Sequence, residues 1–195
     1  MSVIMAYKTE NKIYLGADKR VTNIKDGSYS DKNTKLIIIN KRLAMVCSGS
    51  KYVQSKFENF IKGKKVKKWT TDDVKMYLEI LCNSLNLENN IDVINEGAYF
   101  IVGGLDGKKK MNLWSASWNH GKYSGNNVEL AIYPPKDVDM QTCCNIYIPN
   151  VHEHFSVFIQ KTIKEISEKS KIVSPSGDIW IYDMKSGKST SEHFD

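Results

Sequence analysis

Ser2-Val3-Ile4-Met5-Ala6-Tyr7-Lys8-Thr9-Glu10-Asn11-Lys12-Ile13-Tyr14-Leu15-Gly16-Ala17-Asp18-Lys19-Arg20-Val21-Thr22 is the stretch from which the rest of the chain can be read. Residues 3–7 and 12–17 are rich in large and β-branched apolar side chains, and Thr9, Glu10 and Asn11 separate them, so the stretch predicts a hairpin. One residue, Met1, precedes Ser2. An initiator methionine is commonly removed when the next residue is as small as serine, so the mature chain is expected to begin at Ser2. An N-terminal serine carries its own base, because an α-amino group has a pKa of about 7.7–8.0 and is partly neutral at pH 7. Usually through a water, that amine can take the hydroxyl proton as the oxygen attacks an amide carbonyl. Many chains begin Met-Ser, so the surrounding pattern has to carry the reading.

Outward from this hairpin, residues 35–39 and 43–47 flank Asn40, Lys41 and Arg42 and predict a second one. From Ser50, a candidate N-cap, the period changes: Val53, Phe57, Phe60 and Ile61 fall on one face of a helix. Thr70 and Asp73 form a capping-box-like start to a second helix, with Val74, Tyr77, Leu78, Leu81 and Leu85 on one stripe. Three strands are predicted at 98–102, 111–118 and 123–133, and a third helix at about 151–170 with Phe155, Phe158, Ile159, Ile163 and Ile166 inward. A last strand, 179–184, follows the turn Ser174-Pro175-Ser176-Gly177. Two hairpins, two helices, three strands, one helix and one strand make an α+β chain with largely antiparallel sheets whose outer faces are covered by helices.

The chain has 195 residues, 41% of them apolar, which fits one domain over 1–195 with a core that needs no metal or disulfide staple. No apolar run approaches the roughly 18 residues that span a bilayer, and Met1 leads directly into strand-like sequence, so neither a membrane nor a secreted protein is expected. Cys47, Cys82, Cys143 and Cys144 lack the density and spacing of a disulfide framework, and a reducing cytoplasm is the expected setting. The net charge is +6, and five lysines lie between Lys62 and Lys68. Only Trp69 follows that run, whereas a nucleic-acid surface needs aromatics or a reading helix beside its charge, so a solvated segment is the expected reading.

Residues 2–6, the gapless continuation through Tyr14-Leu15-Gly16-Ala17-Asp18-Lys19-Arg20-Val21-Thr22, then Lys35-Leu36-Ile37-Ile38-Ile39-Asn40, Cys47-Ser48-Gly49-Ser50 and Phe100-Ile101-Val102-Gly103-Gly104-Leu105-Asp106, resemble a proteasome β-type subunit. With one residue before Ser2, the chain looks more like the bacterial proteasome-related peptidases than like subunits with long propeptides. The resemblance implies the four-layer αββα sandwich of N-terminal nucleophile hydrolases. It implies Ser2 at the nucleophile position, where the family usually has threonine. Asp18 and Arg20 match the acidic-x-basic pair after the second strand, and Lys35 matches the active-site lysine. Gly49 matches the residue whose backbone N–H helps bind the oxyanion. Cys47 falls at the base of the implied substrate pocket, whose small neutral floor suits apolar side chains, with Val21 and Ser50 beside it. An ammonium near Ser2 lowers the pKa of its hydroxyl and amine, and a carboxylate keeps that ammonium charged and oriented.

Read singly, each of these residues has a plain structural alternative: Asp18 and Arg20 pairing at a turn, Lys35 ending a strand, Gly49 permitting a tight turn. The chain also departs from the family. Prolines stand at 134 and 135, near the expected later serine; no aspartate lies among residues 171–176; and residues 136–150 read as too short and irregular for the family's helix there. Other constellations rank lower. Cys143, Cys144, His152 and His154 lack zinc-ligand spacing, no Gly-x-Ser-x-Gly elbow accompanies His120, His152, His154 or His193, and Gly103-Gly104-Leu105-Asp106-Gly107 has no P-loop lysine. The expectation is a hydrolase of peptide or other amide bonds without metal or cofactor, assembled as a homo-oligomeric ring or dimer, with an ATP-driven unfoldase as the partner that the resemblance implies. The alternative is a catalytically inactive assembly protein of the same fold; a basic nucleic-acid adaptor comes third.

Overall fold

In the computed structural model, which describes residues 2–22, 26–150 and 155–195, the first hairpin forms as its sequence directs. Strand β1 (Ile4–Lys8) pairs antiparallel with β2 (Lys12–Asp18), Ile4 opposite Ala17, and the turn is held by the Thr9 hydroxyl, which accepts from the N–H groups of Asn11 and Lys12. Both strands are buried on both faces, which explains why they read as near-continuous apolar runs rather than alternating ones. Ile4, Ala6, Ile13, Leu15 and Ala17 point to one apolar layer, while Val3, Met5 and Tyr14 point to another.

The short strands β3 (Val21–Thr22) and β4 (Tyr29–Ser30) form a small ribbon after β2. Strands β5 (Leu36–Asn40) and β6 (Leu43–Gly49) make the second predicted hairpin. Helix α1 (Lys51–Lys62) follows at Ser50, whose hydroxyl makes no capping bond. Helix α2 (Thr71–Leu87) starts at the expected box, with Asp73 accepting from the Thr70 N–H and hydroxyl at 2.8 Å each. A short helix α3 (Ile91–Glu96), capped by Asn90, leads into β7 (Ala98–Leu105) and β8 (Met111–Asn119).

Three expectations are corrected from here on. The single strand predicted over 123–133 is two strands in different sheets, β9 (Lys122–Asn127) on β8 and β10 (Leu130–Tyr133) on β1. The chain crosses at Val128 and Glu129, where the Val128 N–H donates to Leu113 and the Glu129 carbonyl accepts from Lys8. Residues 140–150, read as too irregular for a helix, form α4 (Met140–Asn150). Asp139 caps it, accepting from the Thr142 N–H and hydroxyl, and Cys143 and Ile146 three residues apart are buried under it. The Pro134-Pro135 and adjacent-cysteine pattern conceals that helical spacing. Helix α5 (Phe155–Lys169) matches the third predicted helix; its predicted first turn, 151–154, lies outside the described residues. Beyond the predicted last strand, β11 (Gly177–Asp183), a further edge strand β12 (Lys188–Phe194) appears, too polar and exposed for hydrophobic patterning to reveal.

The two five-stranded antiparallel sheets run β10-β1-β2-β11-β12 and β5-β6-β7-β8-β9. Between them lies an apolar layer built on Leu15, Val46, Ile101 and Trp180; α1 and α2 close the outer face of the second sheet over Phe57, Leu78 and Trp118; α5 closes the first over Phe158, Ile159 and Ile163. The architecture is the α+β four-layer αββα sandwich. None of the described helices is long and apolar enough to cross a membrane.

Gly103 fixes how closely the sheets approach: a Cβ there stands 2.7 Å from Ile13 Cγ2 and 3.2 Å from Leu15 Cδ2. Gly103→Val is therefore expected to destabilise by about 1–3 kcal/mol through overpacking. The urea midpoint should fall, and an unchanged midpoint would show that the inter-sheet spacing is not set here.

Candidate active site

The head of β1 meets the end of β2, the start of β5 and the end of β6 at one point. Asp18, the last residue of β2, is fully buried, and its carboxylate accepts from four donors. Oδ1 takes the Val3 N–H at 3.0 Å; Oδ2 takes the Arg20 N–H at 2.8 Å, the Ser174 N–H at 3.2 Å and Lys35 Nζ at 3.0 Å. Burial pushes the Asp18 carboxyl above its ordinary value, against the opposing pull of Lys35 and of the Ser174 and Arg20 amides. Burial likewise pushes Lys35 below its ordinary value, and the Asp18 charge works against it. The pair is an ion pair with little water, held by the geometry of its bonds.

Lys35 also donates to the Arg20 carbonyl oxygen, and the Ser2 hydroxyl donates to the same oxygen at 3.2 Å. One acceptor therefore brings the Lys35 ammonium and the Ser2 hydroxyl together. The Arg20 side chain points elsewhere, forking onto Asp31 at 2.9 and 2.8 Å, reaching the Lys171 carbonyl at 3.1 Å and lying over the Tyr29 ring. That fork holds the Asp31 carboxyl below its ordinary value.

Gly49 has φ +93°, and a Cβ there would lie 2.5 Å from the Gly97 carbonyl oxygen, so no other residue fits without moving backbone. The Cys47 N–H donates to Lys35 O and the Ser50 N–H to Gly97 O. Antiparallel alternation between these two bonds turns the Gly49 N–H to the β5 edge of β6, the edge where Lys35 lies. The Cys47 thiol is buried, 3.7 Å from the Lys35 carbonyl oxygen, and burial pushes its pKa up to about 12. It is a neutral, small wall. The Ser50 hydroxyl is buried and has no partner among the described residues.

Seven of the eight residues singled out from the sequence, Ser2, Arg20, Val21, Lys35, Cys47, Gly49 and Ser50, line one cavity, and Asp18 stands directly behind Lys35. Sequence reasoning missed several neighbours. Ser48 bonds Ser2 at two atoms, and its type gave no signal beside the glycine that follows it. Gln54, Glu96 and Ile172 also line the cavity. Ser174, within the turn read as a mere connector, supplies a backbone donor to Asp18. The segment leading to it is fastened by Asp137, which accepts from the Ser170 hydroxyl and the Lys171 N–H. Residues 131–135 do not line the cavity. Among the described residues no three His, Cys, Asp or Glu side chains converge as metal ligands, and His152 and His154 lie outside them.

A family model described as Proteasome subunit matches residues 2–132, a span that includes all eight of these residues. No curated protein matches the chain.

Lys35→Met removes the countercharge of a buried carboxylate and is expected to cost about 3–5 kcal/mol at pH 7. Without the ammonium, the Asp18 carboxyl rises further above its unfolded value of 3.8. A raised carboxyl stabilises the fold below its unfolded pKa and loses that contribution as pH rises through the folded one, so the deficit against wild type should shrink as pH falls from 7 towards 4. Urea unfolding of both proteins at the two pH values tests this; an equal deficit at both would mean that Asp18 is not the group left uncompensated.

Proposed function

The chain belongs to the proteasome subunit family, and from that premise we propose that it is an N-terminal nucleophile hydrolase, cleaving peptide or other amide bonds through an acyl-enzyme on Ser2 once Met1 has been removed. The observation that carries this reading is the shared acceptor: the Ser2 hydroxyl and the Lys35 ammonium meet on the Arg20 carbonyl oxygen, at the wall of a cavity that the Gly49 backbone also lines.

In this reading the Ser2 amine, through a water, takes the Oγ proton while Oγ bonds to the substrate carbonyl carbon and the π electrons move to the carbonyl oxygen. Lys35 favours the anionic Oγ and the neutral amine by its charge. The Gly49 N–H supplies a fixed donor for the oxyanion. Collapse breaks the C–N bond, the proton goes to the leaving amine, and water attacks the ester in the same way to free Ser2. Asp18 keeps Lys35 charged. Val21, Cys47 and Ser50 shape the pocket for the side chain next to the scissile bond, with Arg20 as support. No metal or cofactor enters.

A second reading, a subunit kept for assembly without catalysis, draws support from the Ser2 hydroxyl proton being turned to Arg20 O; catalytic hydrogen bonds in substrate-free enzymes are often misaligned in this way. Family membership supports homo-oligomers, a ring or a dimer, and a ring would suit an ATP-driven unfoldase. Nucleic-acid binding draws little support, since Trp69 is stacked on Tyr77 at 4.7 Å rather than free beside the exposed lysines.

A reactive lactone should add its mass to the Met1-free chain, and neither Ser2→Ala nor a form that retains Met1 should be labelled. Equal labelling of wild type and Ser2→Ala by intact mass would sink the assignment. In sedimentation at micromolar concentration the protein should run well above 22.2 kDa, and a monomer would refute assembly.

A further inference from the structure

One side chain that the sequence did not single out grips Ser2 at both ends of its backbone. In the chain that still carries Met1, Ser48 Oγ accepts from the Ser2 backbone N–H at 3.0 Å and donates to Ser2 O at 2.9 Å. It is 8% exposed and lines the cavity from β6, between the Cys47 wall and Gly49. A hydroxyl has one proton to give. With that proton committed to Ser2 O, Ser48 Oγ can only accept from the nitrogen, so the direction of the contact is fixed. The Ser2 hydroxyl is meanwhile held on the opposite side by Arg20 O at 3.2 Å. All three polar groups of Ser2 are thereby anchored, two of them by one residue.

This anchoring matters for a terminal residue. Once Met1 is removed, the same nitrogen is a free amine that rotates about its Cα–N bond, and only some rotations aim its lone pair towards the water that relays the hydroxyl proton. Resting on the hydrolase reading above, we propose that Ser48 is a positioning residue: its hydroxyl binds one N–H of the Ser2 amine and thereby sets the direction of the lone pair that accepts the Oγ proton. Ser48 keeps its own proton throughout and takes part in no covalent step.

The charge environment gives this role a signature distinct from folding. An acceptor on the nitrogen favours the ammonium form, so Ser48 raises the amine pKa, whereas the Lys35 ammonium lowers it. Among the described residues, the other titratable groups around this cavity are Asp18 behind Lys35, the neutral Cys47 thiol, Lys51 at the start of α1, Glu96 at the end of α3, and the Arg20 guanidinium, which is paired with Asp31. None of these changes when Ser48 loses its oxygen.

The test is an NMR titration of the Ser2 amine in the Met1-free chain, joined to the pH profile of lactone labelling. In Ser48→Ala the amine should titrate at lower pH, the labelling rate should reach its plateau at correspondingly lower pH, and the plateau should fall roughly tenfold, the effect of one lost hydrogen bond to a charged or charge-developing group. Ser48→Thr, which keeps the hydroxyl, should restore all three. Should Ser48→Ala fail to fold, Ser48→Cys, nearly isosteric with a weak acceptor, should move the titration in the same direction. An amine titration and labelling profile unchanged in a folded Ser48→Ala or Ser48→Cys would overturn the proposal. The titration needs no turnover, so the two readings fail separately. An amine whose titration depends on Ser48 in a chain that is never labelled at Ser2 would sink the hydrolase reading, and with it the catalytic purpose given to Ser48. Labelling at Ser2 that ignores Ser48 would sink the positioning role alone.

Discussion

A single carboxylate, that of Asp18, holds four separate stretches of chain to one point. It accepts from Val3 before β1, Arg20 after β2, Ser174 before β11 and Lys35 before β5. A buried charge is tolerable only when its lone pairs are filled, so none of these donors can leave without exposing the rest to a large penalty. Everything at the site follows from that constraint. The Val3 bond sets where Ser2 begins, the Arg20 bond turns its carbonyl towards Ser2 and Lys35, and the Lys35 bond fixes the ammonium beside them.

The sandwich supplies the rigidity behind this point. Strand β2 lies between β1 and β11, packs Ile13, Leu15 and Ala17 onto the second sheet, and at Gly16 lets Ile159 of α5 come close enough that a Cβ would overlap it. Its terminal residue, Asp18, therefore inherits a position determined by both sheets and a helix. On the other sheet, β6 presents Cys47, Ser48 and Gly49 in sequence, and the Gly49 backbone is locked against Gly97. Two stiff strands from two sheets thus meet at Ser2, with few degrees of freedom left to the loops.

Much of this was legible in the residues. The first two hairpins, the three amphipathic helices α1, α2 and α5 and the capping box at Thr70 show themselves through period and punctuation, and the spacing from Ser2 through Asp18 and Lys35 to Gly49 carries the resemblance on which the site was read. What stayed hidden has physical causes. The β9–β10 split follows from pairing partners far off in sequence, which no local pattern encodes. Strand β12 is an exposed polar edge, and α4 is masked by prolines and paired cysteines. At the site, backbone donors such as Ser174 N carry no residue-type signature, and Ser48 acts through a hydroxyl that any surface serine would also show. The Asp137 contacts that fasten residues 170–171 depend on the same long-range closure.

The sheet order also bears on how the chain matures as it leaves the ribosome. The second sheet is drawn from one unbroken run, residues 36 to 127, whereas the first needs β1 and β2 to find β10 and then β11, with Asp18 opposite Gly177. The first hairpin, apolar on both faces, therefore gains its β10 neighbour only after residue 130 and its β11 neighbour only once residue 177 has emerged. At ordinary elongation rates that wait is on the order of ten seconds. During nascent synthesis the β2 edge of the segment bearing Ser2 thus stays unpaired through that wait, an apolar edge open to wrong pairing.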